Sequence, residues 1–180
     1  MNQVLKTIQE RSSIRSYKDI PLTQEELDLL KNAVLAAPTA RNLQGLRYYF
    51  ITDRSILKQI DQRVMHHAGD EMRARMKERG SESFFYDAPL GVIITAGEQR
   101  WPGEDAGIAV GILSIAAQSM GLGSVILGIP GMAFQEDDPE NCGKLLGFAE
   151  GEKFRIAIAI GHPATEKEPH EKNFDLIKEF

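Results

Sequence analysis

An α+β domain, with one sheet sandwiched between helices, is the fold class that this sequence predicts. Four apolar or β-rich runs, "RYYFITD", "DAPLGVIITAGE", "GLGSVILGIPG" and "KFRIAIAIGHP", alternate along the chain with about six helical stretches. The second run is wholly apolar, as expected of a strand covered on both faces. No repeat, low-complexity tract or composition shift marks a linker, so residues 1–180 read as a single domain.

Val4, Leu5 and Ile8 place one apolar face on a first helix that ends near Glu10. Thr23 with Glu26 three residues on is a capping box, and Leu27, Leu30, Val34 and Leu35 form the inner stripe of the helix it opens, which Pro38 stops. The β-rich run after it ends in a polar turn, and Ser55 begins a helix carrying Leu57, Ile60 and Val64. The charged segment 69–83 reads as an exposed helix or a mobile cover. Asp105 is placed to cap a helix running to about Met120, whose apolar residues lie on all sides and mark it as central and buried. "GLGSVILGIPG" breaks that helix and yields a strand, Pro139 to Leu146 reads as a short helix, and the last strand stops at Gly161 and Pro163. The final segment is polar, with Phe174 and Leu176 as late anchors.

A composition of 42% hydrophobic and 26% charged residues is that of an ordinary globular domain. The net charge of −5 argues against a general binder of nucleic acid or anionic membrane, so any anion site must be local. Cys142, the only cysteine, excludes an internal disulfide, a cysteine-rich zinc site and an iron–sulfur cluster, and is expected to pack as a small apolar residue. The mixed charge of "MNQVLKTIQE" does not fit a secretory signal. The long apolar stretch from Ala106 to Met132 is interrupted by glycines, serines and Pro130, and reads as helix, turn and strand rather than a membrane span. A cytoplasmic protein is the expectation.

Several familiar chemistries fall away. "GLGSVILG" has a glycine spacing like that of dinucleotide fingerprints, but it follows a helix and precedes a strand, the reverse of the order that sets a pyrophosphate on a helix N-terminus. There is no phosphate-binding P-loop sequence and no G-x-S-x-G elbow, and Cys142 has no adjacent base. His67 and Glu71 would stand one helical turn apart as a metal pair, yet on a charged helix such a cluster reads as solvated surface, and no metal is expected. What remains is residues suited to holding a ligand. Arg11, Ser12, Ser13 and Arg15 place two guanidiniums among short hydroxyl side chains, a grip for phosphate or ribityl oxygens, although a solvated turn after a helix has the same composition. "AAPTARNLQGLRYYF" offers Pro38, Thr39, Asn42 and Gln44 before a strand, and the two amides carry the donors and acceptors that read the edge of a heterocycle. A helix-stop loop would look similar.

Taken together, these segments resemble the nitroreductase family of FMN-dependent oxidoreductases. "ERSSIRSY" is similar to that family's R-x-S-x-R phosphate segment, and "APTARNLQGLRYYFI" to its A-P-S-x-x-N-x-Q-P-W segment. "DAPLGVIITA", "DAGIAVGILSIAAQSMGLGSVILG" and "RIAIAIGHPATEKEPHEK" resemble its apolar strand, its central helix with the turn and strand that follow, and its closing I-G-x-P segment, all in the family's order. The resemblance implies a central mixed β-sheet between helices and a homodimer with FMN at the subunit interface. Carried across, Arg11 would bind the FMN phosphate with Ser12 and Ser13 beside it, Arg15 would lie nearer the ribityl and pyrimidine end, and Lys172 would close on the phosphate. Asn42 and Gln44, with Pro38 and Thr39 on the same wall, would reach the ring from the partner subunit, and the backbone of Ile126, Leu127 and Gly128 would lie against it near N5.

The implied reaction is ping-pong: NADH or NADPH gives hydride to the flavin, and a small acceptor such as a nitroaromatic or quinone takes it. No protein acid–base residue is then required, and none stands out as catalytic. Alternatives are a non-enzymatic FMN storage or sensing module and a specialised ene-reductase or dehalogenase of the same fold. Two departures stand out. Gly45-Leu46 replaces the family's Pro-Trp, and Thr39 replaces its usual serine.

Overall fold

The computed structural model describes residues 1–79 and 83–180, and within them the four runs become strands β1 (Leu46–Ile51), β2 (Leu90–Ala96), β3 (Gly123–Leu127) and β4 (Lys153–Gly161). They form one sheet in the order β1-β2-β4-β3. β2 is buried along its whole length, which is why it carries no polar alternation. The described helices are α1 (Gln3–Glu10), α2 (Gln24–Leu35), α3 (Arg54–His67), α4 (Asp70–Arg79), α5 (Pro102–Ser119) and the single turn α6 (Gly143–Leu146).

The period-two pleat sends alternate side chains into two cores. Leu90, Val92 and Ile94 of β2, with Ile158 and Ile160 of β4, pack against α2 and α5. Ile93, Ala157 and Ala159 point the other way, into a core closed by Leu57, Ile60 and Val64 of α3 and by Phe85, Phe134 and Cys142. The sheet is therefore sandwiched, as the sequence implies. The capping box at Thr23 is present on both sides: Thr23 Oγ1 accepts the Glu26 amide at 3.2 Å, and the Thr23 amide donates to Glu26 Oε2 at 2.7 Å.

Several expectations need correction. The sheet is antiparallel at every ladder rather than mixed. β2 and β3 do run in the same direction, joined by α5, but β4 inserts between them in the opposite sense; the one parallel pairing among the described residues is an isolated bridge from Ser13, in the segment after α1, to Ser124 of β3. Asp105 is not the cap of α5. The helix begins at Pro102, and the buried Asp105 carboxylate in its first turn accepts the Ala40 amide at 2.9 Å. The helix expected over 139–146 shrinks to Gly143–Leu146 because side chains capture the preceding backbone: Asp138 Oδ1 accepts the Glu140 amide, and Asn141 Oδ1 accepts that of Gly143.

α5 is buried on one face only: Ile108 is 43% exposed, and added Cβ atoms at Gly103, Gly107 and Gly111 would meet nothing within 4 Å. The apolar face of α1 is open too, with Val4, Leu5 and Ile8 exposed, as are the tail residues Phe174 and Leu176. The charged segment folds into α4 with Met76 turned inward, and residues 80–82 lie outside the described structure. Among the described residues, no helix is long and apolar enough to cross a membrane.

Candidate functional site

Arg11 closes α1, its amide donating to Thr7 O at 3.1 Å, and the chain then runs extended beside the outer edge of β3. The Ile14 amide donates to Ser124 O at 3.0 Å. An extended segment alternates its side chains, so Ser12 and Ile14 are buried while Arg11, Ser13 and Arg15 share the outward side. Among the described residues neither guanidinium has a carboxylate partner; Arg15 Nη1 reaches only Ser13 O at 3.5 Å. Close approach fixes this arrangement, since a Cβ at position 123 would stand 2.9 Å from Ile14 Cβ. Tyr17 pins the far end, donating its hydroxyl to Ile14 O at 2.7 Å and Ala159 O at 3.3 Å. Burial, with the nearby Tyr86, holds that phenol protonated well above its ordinary range, against the opposing pull of Arg15. Nothing in the sequence signals this role beyond the two-residue spacing from Arg15.

Along β3 only Ile126 is exposed, at 40%, and Gly128 opens the turn after it. Beyond Ser124 no described segment pairs with this edge, which leaves outward backbone groups between Ile126 and Gly128 open. The Arg11–Arg15 segment and the Ile126–Gly128 turn are thus brought together.

The second patch is a strained loop. Arg41, Asn42 and Gln44 have φ of 53°, 56° and 49°, left-handed values that cost a non-glycine residue about 1 kcal/mol or more. Ties from behind hold it: Ala40 to Asp105, and the Gln44 amide to Thr39 Oγ1 at 3.0 Å. Gln44 Nε2 donates to Asn42 Oδ1 at 3.1 Å, so the two amides are linked at the exposed tip. Gln99 packs so closely over Gly45 that a Cβ there would sit 2.1 Å from Gln99 Oε1. Gln99 thus occupies space that a larger residue at position 45 would need, and Leu46 in place of tryptophan is buried as the first residue of β1.

The two patches do not meet within one chain. β1 and β3 are opposite edges of the sheet, three strand spacings or roughly 14 Å apart. Register puts the start of β1 and the end of β3 toward the same end of the sheet. Lys172 lies in the exposed tail, and no hydrogen bond or ion pair holds its side chain among the described residues. His67 and Glu71 fall on different helices; His67 Nε2 lies 2.8 Å from Asp138 Oδ2, beside the Arg63–Asp138 pair. No metal-binding group of acids, histidines and cysteine exists among the described residues.

The family model described as the nitroreductase family matches residues 8–162. A Bacillus subtilis (strain 168) protein named FMN reductase (NAD(P)H) is 30% identical over 179 residues, covering 91% of this chain and 67% of its own. A solved nitroreductase with bound FMN from Desulfitobacterium hafniense superposes with a TM-score of 0.89 at 28% identity, over 100% of this chain and 99% of that one. Another with bound FMN, from Bacteroides fragilis, gives a TM-score of 0.86 at 25% identity over 100% of both chains.

Proposed function

This chain belongs to the nitroreductase family, and we propose on that premise that it is an FMN-dependent NAD(P)H oxidoreductase that works as a homodimer. The observation that carries the reading is the pair of half-sites at opposite edges of one sheet. Each has ligand-holding groups facing outward, and each lacks the other within the chain. A two-fold related copy supplies the missing half, and a two-fold interface is the commonest way for a soluble chain to do so. The open faces of α5 and α1 and the apolar tail are surfaces that such a copy would cover.

The residues fit the cofactor. Arg11 and Arg15, without a carboxylate partner among the described residues, lie on the same side of an extended segment as Ser13, suited to hold a phosphate and the polyol behind it. Lys172, on an exposed tail, is able to add a third charge, while Ser12 is buried on the side of the segment away from Arg11, Ser13 and Arg15. The open edge at Ile126–Gly128 offers main-chain donors and an uncovered ledge for a flat ring. From the partner, Asn42 and Gln44 present amides on a loop that Pro38 and Thr39 flank. Bound there, FMN would supply the two-electron redox chemistry for a ping-pong exchange between NADH or NADPH and a small acceptor such as a nitroaromatic or quinone. The chain's own work is to grip the phosphate, orient the ring and leave one face reachable. No side chain here is asked to move a proton.

The test is the visible spectrum of the purified protein, before and after anaerobic addition of NADH and then NADPH, with molar mass measured by light scattering. A flavin spectrum that bleaches, on a particle of twice the chain mass, supports the proposal. A flavin that no nicotinamide reduces favours a binding module instead. A colourless protein that FMN cannot reconstitute overturns the reading.

A further inference from the structure

A cavity of about 610 Å³ opens between α3 and the residues leading into β2, and it shares no residue with either half-site. Leu57, Met65 and Phe85 give it apolar walls, and Asp61, Asp87 and Arg54 are among its polar lining residues. Its volume is that of a small-molecule site.

Asp61 is only 7% exposed. Its Oδ1 accepts the Phe84 amide at 2.9 Å, but no cation pairs with the carboxylate among the described residues. Arg54, on the same helix, is paired with Asp19, and Lys58 makes no ion pair among the described residues. The charge that acts on Asp61 is that of Asp87, which has the same sign. Burial first and Asp87 second raise its pKa to about 6, against hydrogen bonds from Ser83 and the Phe84 and Phe85 amides that favour the anion. Asp87 is itself held at a φ of 54°, a left-handed value that persists only where surrounding structure imposes it. A buried carboxylate with a second one nearby, and with no ion pair of its own among the described residues although Arg54 and Lys58 line the same cavity, leaves room between apolar walls for a positive charge brought from outside.

The geometry points to a second ligand site here, which takes a small protonated amine carried on an apolar body. The ammonium group binds Asp61 and Asp87, and the body lies against Leu57, Met65 and Phe85. Arg54 and Lys58 line the same cavity and give a second contact to ligands that also carry a carboxylate. The site is separate from the flavin reading and stands or falls without it.

The test is calorimetric titration of the purified protein with tryptamine and, in parallel, L-tryptophan. Tryptamine is expected to bind, more tightly at pH 7 than at pH 5 because the Asp61 carboxylate ionises between them. Asp61→Asn should weaken it about tenfold or more, the loss expected for one charge-assisted bond. Met65→Trp fills the cavity while leaving the carboxylates in place, and should abolish binding if Asp61→Asn does not fold. Tighter binding of L-tryptophan assigns the site to amino-acid-like zwitterions, and tighter binding of tryptamine to simple amines. No binding of either probe at millimolar concentration, or equal binding by wild type and Met65→Trp, overturns the inference.

Discussion

Replacing Gly123 with alanine tests whether the arginine segment is held in place by close contact with β3. The new Cβ would lie 2.9 Å from Ile14 Cβ, 2.9 Å from Cγ2 and 3.0 Å from Cγ1. The Ile14 Cβ is fixed to its backbone, so no rotamer change relieves the contact; the segment itself must move away from Ser124. Overpacking of this kind costs about 1–3 kcal/mol. For a chain of this size that is a fall in Tm of roughly 2–12 °C. The displaced segment carries Arg11, Ser13 and Arg15, so the change should also lower the fraction of flavin retained through gel filtration. The assay pairs a thermal melt with the flavin-to-protein absorbance ratio, with Gly69→Ala as control, because a Cβ there meets nothing within 4 Å. If Gly123→Ala keeps both the Tm and the flavin content of the control, the contact with β3 does not position the segment, and the phosphate assignment to it loses its structural basis.

Asp105→Ala leaves the Ala40 amide without its acceptor and should cost about 1–3 kcal/mol, seen as faster hydrogen exchange at Ala40 and a looser 39–44 loop. Because the Asp61 pKa rises from 3.8 to about 6 on folding, the folded chain binds the extra proton, and stability falls as pH rises through that window by up to about 3 kcal/mol. Asp61→Asn should therefore gain on wild type between pH 4 and pH 8 in urea melts; an unchanged difference would refute the shift. Gly45→Ala should cost roughly 1 kcal/mol or less, since the far end of Gln99 is flexible, and Gln99→Ala should cancel the penalty in a double-mutant cycle. Gly107→Leu projects a large side chain from the open face of α5 and should shift the light-scattering mass toward a single chain; an intact dimer would place the interface elsewhere.

Local signals were legible in the sequence, and long-range ones were not. The capping box at Thr23 needs only residues three apart, and the four strands follow from apolar runs whose burial is decided within each run. Sheet direction was not legible, because it depends on β4 entering between β2 and β3, a matter of topology rather than pattern. Asp105 looked like a cap because acids favour helix starts, but its partner is the amide of Ala40, 65 residues away. The close packing of Gln99 over Gly45 is likewise met only in three dimensions. Of the candidate site, the two outward guanidiniums and the amide loop were readable as residue types. Their separation onto two subunits came only with the family resemblance, because no local pattern shows that β1 and β3 are opposite edges of the sheet.

That separation gives meaning to the strain in the loop. Three left-handed non-glycine residues at an exposed tip are a cost that nothing in the chain's own core repays, since Arg41, Asn42 and Gln44 are all exposed. The ties to Asp105, Thr39 and Gln99 fix the backbone from behind, and the link from Gln44 Nε2 to Asn42 Oδ1 fixes the side chains relative to each other. With that bond made, Asn42 Nδ2 remains as a donor and Gln44 Oε1 as an acceptor. Such a pair, rigid before any ligand arrives, matches the alternating groups along a heterocycle edge and loses little entropy on binding. A loop built only to connect α2 to β1 would need neither the strain nor the pairing. Under the proposed function, the strain serves as preorganisation for a ring held at the Arg11–Arg15 edge of another copy.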